Sequence, residues 1–343
     1  MQAIVLQGYG GPEQFNAVRL PDPVPGVGEV LVRLRACGVC YHDVMARQGH
    51  FPRTALPGVI GHEMAGEIAA FGPGCSSALG VGARVAILMK DHCGHCAQCF
   101  RARDHLCESG AGLYGEAVPG GYAEYVAVAE RALVPVPDGV SFEQAAVVPC
   151  ALGTAYHGLQ KVAAVRPGEA VLVTGASGGV GIHAVQVARM LGARTIAVTT
   201  SAAKRDFLVE HGADDVIVSP ELDFAAEARR LTGGAGVDVV FNIVGQMAWA
   251  AALKGMAVGA RHVFVGNLNA APVSLRPAHA ILKEMAFLGT DGVTRAEVQT
   301  LLELVRLGRL RPVVGGTLAL ADAAQAHRMM ESREACGRLV LTM

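Results

Sequence analysis

Residues 171–181 read VLVTGASGGVG, and the reading of this stretch decides the fold. An apolar, β-branched run enters a turn that holds Gly175, Gly178, Gly179 and Gly181, and the helical pattern IHAVQVARML follows from Ile182. The first small residues allow a tight turn, Gly178 lets the backbone approach a pyrophosphate, and Gly181 lets the helix pack on the strand. With Ser177 and Val180 in the same turn, the helix N-terminus would face the anion. The bland alternative is a glycine-rich turn that binds nothing. It has to account for a strand before it, a helix after it and a second strand at Thr195–Thr199.

Outward from this turn the texture is regular. AVLVT, TIAVT, VIV, VDVVFNI, RHVFVG and MAFLG read as six strands, and Ala-rich helical stretches lie between them. Such alternation predicts a parallel sheet with helices on both faces. Residues 1 to about 150 read differently: Gly and Pro are frequent, and alternating runs such as EVLVRLRA fit half-buried strands. After about Thr290 the helical patterns TRAEVQTLLELVRLG and LADAAQAHRMMESR flank the short runs PVVGGTL and GRLVLTM.

At 343 residues the chain holds about two domains. Its 52% hydrophobic and 17% charged content excludes disorder. A net charge of −1 argues against general nucleic-acid binding, which needs basic excess. No apolar run reaches the roughly 18 residues of a membrane span. The start, MQAIVLQGYGGPEQF, shows no signal-peptide pattern, so the expected address is the cytoplasm. There, nine cysteines do not read as a disulfide framework.

The end of the second strand bears on the cofactor. An NAD site places Asp or Glu there to accept from the ribose 2′-OH. This chain has Thr199, Thr200 and Ser201, followed by Lys204 and Arg205. Hydroxyls and bases without an acid favour a 2′-phosphate, so NADP(H) is expected over NAD(H). The alternative reading of Lys204 and Arg205 is solvated charge at a helix start.

Two sets of residues suggest metals. Cys93, Cys96, Cys99 and Cys107 have the spacing of a closed, structural tetrahedral zinc site, which would stabilise a loop. A nucleic-acid-binding zinc ribbon is the rival, but the cluster segment carries only Arg101, Arg103 and His105 as basic groups. The second set is dispersed: Cys40, His62 with Glu63, and Cys150. Three protein ligands with an open position make a catalytic zinc site. Spacing alone cannot assemble them. A single Cys is usually a small buried hydrophobe, and Cys37 with Cys40 also reads as a C-x-x-C redox pair, though without a thioredoxin-like βαβ setting.

Taken in order, Cys37-Gly-Val-Cys40-Tyr-His-Asp43, Gly61-His62-Glu63, Val148-Pro-Cys150 with Thr154, and the cysteine cluster resemble the zinc-containing medium-chain dehydrogenases and reductases over essentially the whole chain. The resemblance implies an α/β protein: a GroES-like, β-rich catalytic domain over 1–150 and 290–343 with a structural-zinc lobe at about 92–108. A Rossmann doubly wound parallel sheet would occupy 151–289. It implies two zinc ions per chain, Cys40, His62 and Cys150 holding the catalytic one. Glu63 would lie beside the metal, as a further ligand or next to the ligands, and Asp43 would accept from His62. Thr154, Gly266 and Asn267 would lie by the cofactor, and Arg338 near its phosphates. It also implies a homodimer or homotetramer. Strand Arg261–Gly266 with Pro272–Leu275 could pair across a dimer.

Two positions depart from the family pattern. His42 stands where Ser or Thr often starts a proton relay, and Met45 where the relay's His often lies. His42 is thus a proton donor or a pocket wall. The first expectation is a zinc- and NADPH-dependent alcohol dehydrogenase acting on an aldehyde or ketone. The second is reduction of an activated C=C bond, in a quinone or an acryloyl thioester. The segment Gln48-Gly-His-Phe-Pro-Arg53 resembles acryloyl-coenzyme A reductases, and Arg47, Arg53 and Arg101 are candidates for the thioester's phosphates. A non-catalytic binding protein on the same scaffold is the third. The expected partner is a small molecule, with neither nucleic acid nor membrane.

Overall fold

The computed structural model describes residues 1–343. The chain divides into two compact units, Met1–Gly153 with Gly292–Met343, and Thr154–Asp291. The divisions lie within three residues of positions 150 and 290.

In the second unit the six expected strands form one sheet: Ala170–Val173, Arg194–Thr199, Asp215–Val218, Val237–Asn242, Met256–Phe264 and Ala286–Gly289. All pairings are parallel. Counted along the chain, the spatial order is third, second, first, fourth, fifth, sixth. This is the doubly wound order, whose direction reverses at the first strand, where the glycine turn emerges. Strand Ala170–Val173 is buried throughout, as a strand covered on both faces must be, and Leu172, Ile196, Val198, Val240 and Phe224 share one core cluster. One expectation is corrected here. Residues Arg261–Phe264 lie inside the sheet, between Val237–Asn242 and Ala286–Gly289, so they offer no free edge. The sheet's two edges are Asp215–Val218 and Ala286–Gly289.

The first unit is built on strand Glu29–Val39, which pairs antiparallel with Glu63–Phe71, Tyr125–Ala129 and Arg338–Thr342. The last pairing brings the chain's end back to this unit. Val30, Val32, Leu34 and Ala36 are buried in alternation, and burial becomes continuous from Ala36 to Val39 as the strand approaches the site. A helical run over residues 142–162 was not legible. It starts with a capping box at Ser141 and Gln144 and takes π geometry over Val148–Leu152 and again over His157–Val162. Pro149, Gly153 and Gly158 interrupt the sequence signal. Gly153 is required by packing, since a Cβ there would meet Val293 at 2.9 Å. No helix is long and apolar enough to cross a membrane.

Candidate metal centres and dinucleotide turn

The first metal candidate is the lobe cluster. Sγ of Cys99 lies 3.9 Å from that of Cys93 and 3.6 Å from that of Cys96, and Cys96 and Cys107 are 3.9 Å apart. A tetrahedron with Zn–S bonds of about 2.3 Å has edges of about 3.8 Å, close to these three separations, and all four sulfurs lie within 4.8 Å of one another. A disulfide needs about 2.0 Å, and all nine cysteines are free. Backbone N–H groups of Cys93 and Cys96 donate to Cys107 and Cys93 sulfur, which favours thiolate. The Glu108 N–H lowers the Cys96 thiol to about 6, whereas burial pushes Cys99 up to about 12. Without a cation, four thiolates this close cannot coexist.

The second candidate assembles from three places in the first unit. Cys40 ends the central strand and caps the Tyr41–Arg47 helix. His62 and Glu63 enter strand Glu63–Phe71. Cys150 rides on the π turn, a distortion that recurs at functional sites. One donor atom from each of Cys40, His62, Glu63 and Cys150 lies within 4.8 Å of the others. Cys37 is not in this group. Its thiol is buried against Gly61 and Gly121, and burial holds it protonated, which removes the redox-pair reading.

Asp43 organises these donors. Its Oδ2 accepts from the Cys40 backbone N–H at 2.9 Å, and its Oδ1 lies 3.1 Å from His62 Nδ1. Nδ1–H therefore donates to the carboxylate, and Nε2 is the atom that would give up its proton to a metal. Burial works against a charged His62, but Asp43 outweighs it and holds the imidazole well above its usual range. The hydrogen bond from Cys150 drops Cys40 well below a normal thiol, and the same bond, with burial, raises Cys150.

Glu63 is completely buried, and neither carboxylate oxygen has a hydrogen-bond partner. Arg338 faces it at 3.0 Å, out of line for a hydrogen bond, and donates instead to Val39 O at 3.2 Å. Burial raises Glu63 to about 7 although Arg338 opposes that. Gly38 leaves room for it, because a Cβ there would meet Oε2 at 2.1 Å. A buried acid with orphaned oxygens beside two thiols and an imidazole fits a divalent cation. With zinc present, two thiolates cancel its charge and Arg338 cancels Glu63. Arg338 is thus placed inside the first unit, against Glu63.

His42 is half-buried beside this group. Its ring stacks on Phe51 with centroids 4.1 Å apart, and its Nε2 lies 2.9 Å from Glu116 Oε1. Glu116 is buried and carries no spacing signal in LYGEAV, so sequence reasoning missed it. Hydrogen bonding to His42 lowers its carboxyl. Arg53 approaches its other oxygen at 3.5 Å from an exposed position. Arg47 is not available to a substrate. It is 1% exposed and bonded on every side.

The glycine turn lies in the second unit. Gly175 has φ +60°, a left-handed conformation suited to glycine, and a Cβ at Gly181 would strike Gly175 O at 2.2 Å. At Gly178 a Cβ would meet only Gly175 O, at 3.4 Å, so space remains beside the backbone. Gly178 caps helix Gly179–Met190 without a side-chain bond; Ser177 is buried and Val180 half-buried nearby. Asn242, also missed, ties the neighbouring loop: its amide bonds Gly245 O and its oxygen accepts from Gly245 N–H and Thr174. Gly245 packs on Gly266 and Asn267, where a Cβ would meet Asn267 Cα at 2.7 Å. At the second strand's end, Thr199 Oγ1 accepts from Ser201 N–H at 3.3 Å, Lys204 is half-buried, and Arg205 is exposed. Thr154 is buried at the start of the unit.

Comparison with known proteins gives the same outline. The profile of the alcohol dehydrogenase GroES-like domain matches residues 26–138, and that of zinc-binding dehydrogenases matches 179–306. Acryloyl-coenzyme A reductase of Metallosphaera sedula is 37% identical over 343 residues, covering 100% of both chains. Alcohol dehydrogenase of Geobacillus stearothermophilus is 36% identical over 317 residues, 92% of this chain and 91% of that one. The crystal structure of AibC superposes with a TM-score of 0.92 at 47% identity, covering 100% of this chain and 95% of that one. A likeness that runs from end to end and through both units makes the chain a member of the medium-chain dehydrogenase/reductase family, an NAD(P)-dependent oxidoreductase.

Proposed function

We propose that the protein transfers hydride between NADP(H) and an aldehyde or ketone and its alcohol, with a metal at Cys40, His62 and Cys150. The observation that supports this is the buried convergence of those donors with Glu63. A zinc ion held there supplies a Lewis acid for a carbonyl oxygen. The nicotinamide supplies the hydride. The chain's own residues do the rest. Asp43 keeps His62 in the Nε2-ligating tautomer. Glu63 and Arg338 balance charge in a place where an unpaired ion would be costly. His42 holds at Nε2 the proton shared with Glu116, and Phe51 fixes its ring. This pair takes the place of the relay that Met45 cannot supply. The turn at Gly175–Gly181 seats the pyrophosphate, and Thr199, Ser201, Lys204 and Arg205 favour the 2′-phosphate.

A second reading has its own support. The reductase of Metallosphaera sedula, named for acryloyl-coenzyme A, matches over 100% of both chains. Hydride would then go to the β-carbon of an enoyl thioester. Of its candidate phosphate contacts, Arg53 and Arg101 remain exposed, and buried Arg47 drops out. A panel of aldehydes, ketones, quinones and enoyl thioesters, run with NADPH and with NADH, decides. NADPH consumption by carbonyl compounds supports the first reading. Consumption by acryloyl thioester alone selects the second, and faster turnover with NADH rejects the cofactor assignment.

Self-association is part of the proposal. One of the sheet's two edges, Ala286–Gly289, follows a helix whose Ile281 and Leu282 are 72% and 81% exposed. Light scattering that finds a monomer at micromolar concentration rejects it.

A further inference from the structure

Asp43 has a third donor that the chemistry above does not use. Tyr122 Oη lies 3.4 Å from Asp43 Oδ2 and 3.1 Å from His327 Nε2. On its other side, His327 Nδ1 receives Arg47 Nε at 3.3 Å, and Arg47 Nη2 pairs with Glu331 at 2.6 Å. The chain from Asp43 through Tyr122 and His327 to Arg47 is buried, and Glu331 is its partly exposed end.

The direction of every proton follows from Arg47. A guanidinium has no lone pair, so Nε–H donates and His327 Nδ1 accepts. Nε2 then carries the imidazole proton and donates to Tyr122 Oη. The phenol proton is left for Asp43, which also accepts from the Cys40 N–H and His62 Nδ1–H. Burial holds His327 down at about 4 and Tyr122 well above its usual value, which agrees with a neutral ring and an un-ionised phenol.

The sequence places these groups economically. Asp43 and Arg47 are one turn apart on helix Tyr41–Arg47, and His327 and Glu331 are one turn apart on helix Ala323–Glu331. Gly61, with φ +100°, stands against Tyr122, since a Cβ there would meet the ring at 2.5 Å. That close approach sets the backbone immediately before His62.

We infer that Arg47, His327 and Tyr122 are positioning residues which hold Asp43, and through it His62, in the geometry that retains the metal, so that docking of the Ala323–Glu331 helix governs metal affinity. This rests on the metal reading of Cys40, His62 and Cys150. Its readout is metal retention, independent of turnover.

The test is zinc loss to a chelator, followed separately for the two sites in the full-length zinc-loaded protein, together with the visible spectrum after cobalt substitution. Tyr122→Phe removes the phenol proton and keeps the ring, and His327→Gln removes the imidazole relay. Each is expected to weaken zinc at the Cys40 site about 10- to 100-fold and to shift its cobalt bands, with the four-cysteine site unaffected. Glu331→Gln, at the exposed end, should act in the same direction but less, and it keeps the test open should a buried variant fail to fold. Folded variants with wild-type retention and wild-type cobalt bands at both sites overturn the inference alone. A wild-type protein that binds metal only at the four-cysteine cluster overturns the metal reading and this inference together.

Discussion

The two thiol clusters make a useful contrast. One draws four like donors from a segment of 15 residues, Cys93 to Cys107, and lies near the surface. The other draws unlike donors from Cys40 to Cys150 and is buried, with Arg338 brought in from the chain's end. In the surface cluster backbone N–H groups lower the Cys96 thiol to about 6 and burial raises Cys99 to about 12. The buried one has a carboxylate behind its imidazole and a guanidinium beside an acid whose oxygens accept no hydrogen bond. A closed set of four sulfurs stabilises a loop. A buried set of unlike donors with charges arranged around it is suited to changing an oxygen's electronics.

The largest expected difference separates chemistry from folding. His62→Ala should lower kcat/KM for the reduced substrate by about a thousandfold or more, since a Lewis acid contributes several kcal/mol. Its circular dichroism should remain that of the wild type. Steady-state kinetics with a residual rate above a tenth of wild type would remove the contrast. Cys99→Ser should do the opposite. Metal at the lobe is lost and unfolding becomes easier by about 3 kcal/mol or more, while kcat per folded chain stays within about tenfold. Denaturant titration checks this, and an unchanged midpoint would mean that the lobe carries no structural metal.

A third variant touches neither cluster. Lys204→Ala with Arg205→Ala should raise the KM for NADPH about tenfold or more and leave that for NADH nearly unchanged, as expected for lost charge-assisted hydrogen bonds. Both metals should be retained. Equal effects on the two cofactors would return these residues to the role of solvated charge.

The smallest effect is a reactivity difference in metal-free protein. Alkylation at Cys96 should rise as pH increases through about 6, because its thiolate forms there. Cys37, buried and raised, should stay unlabelled over the same range. Peptide mapping that finds Cys37 modified first would invert the assigned environments.

How much of this was legible follows the same contrast. The lobe cluster could be read from spacing because a short loop holds its own ligands. The six parallel strands could be read because each is an apolar run between helical patterns. The buried set needed a resemblance, since no local rule brings Cys40, His62 and Cys150 together. Glu116, Tyr122 and His327 were invisible for that reason too: their roles come from sheet and helix packing between segments 74 to 280 residues apart. Arg47 was misjudged because an arginine in a polar-looking segment reads as surface, and only the fold brings the Ala323–Glu331 helix and the Gly10 carbonyl against it. The Val148–Leu152 π turn was hidden because Pro149 suggests a stop where the chain instead widens its helix.

The most direct measurement is metal content per chain for the wild type and Cys150→Ser, taken alongside substrate turnover. The account predicts two zinc ions falling to one, with turnover lost and the four-cysteine site still loaded. A wild type with one zinc ion, or a Cys150→Ser protein that keeps two and turns over undiminished, would contradict it.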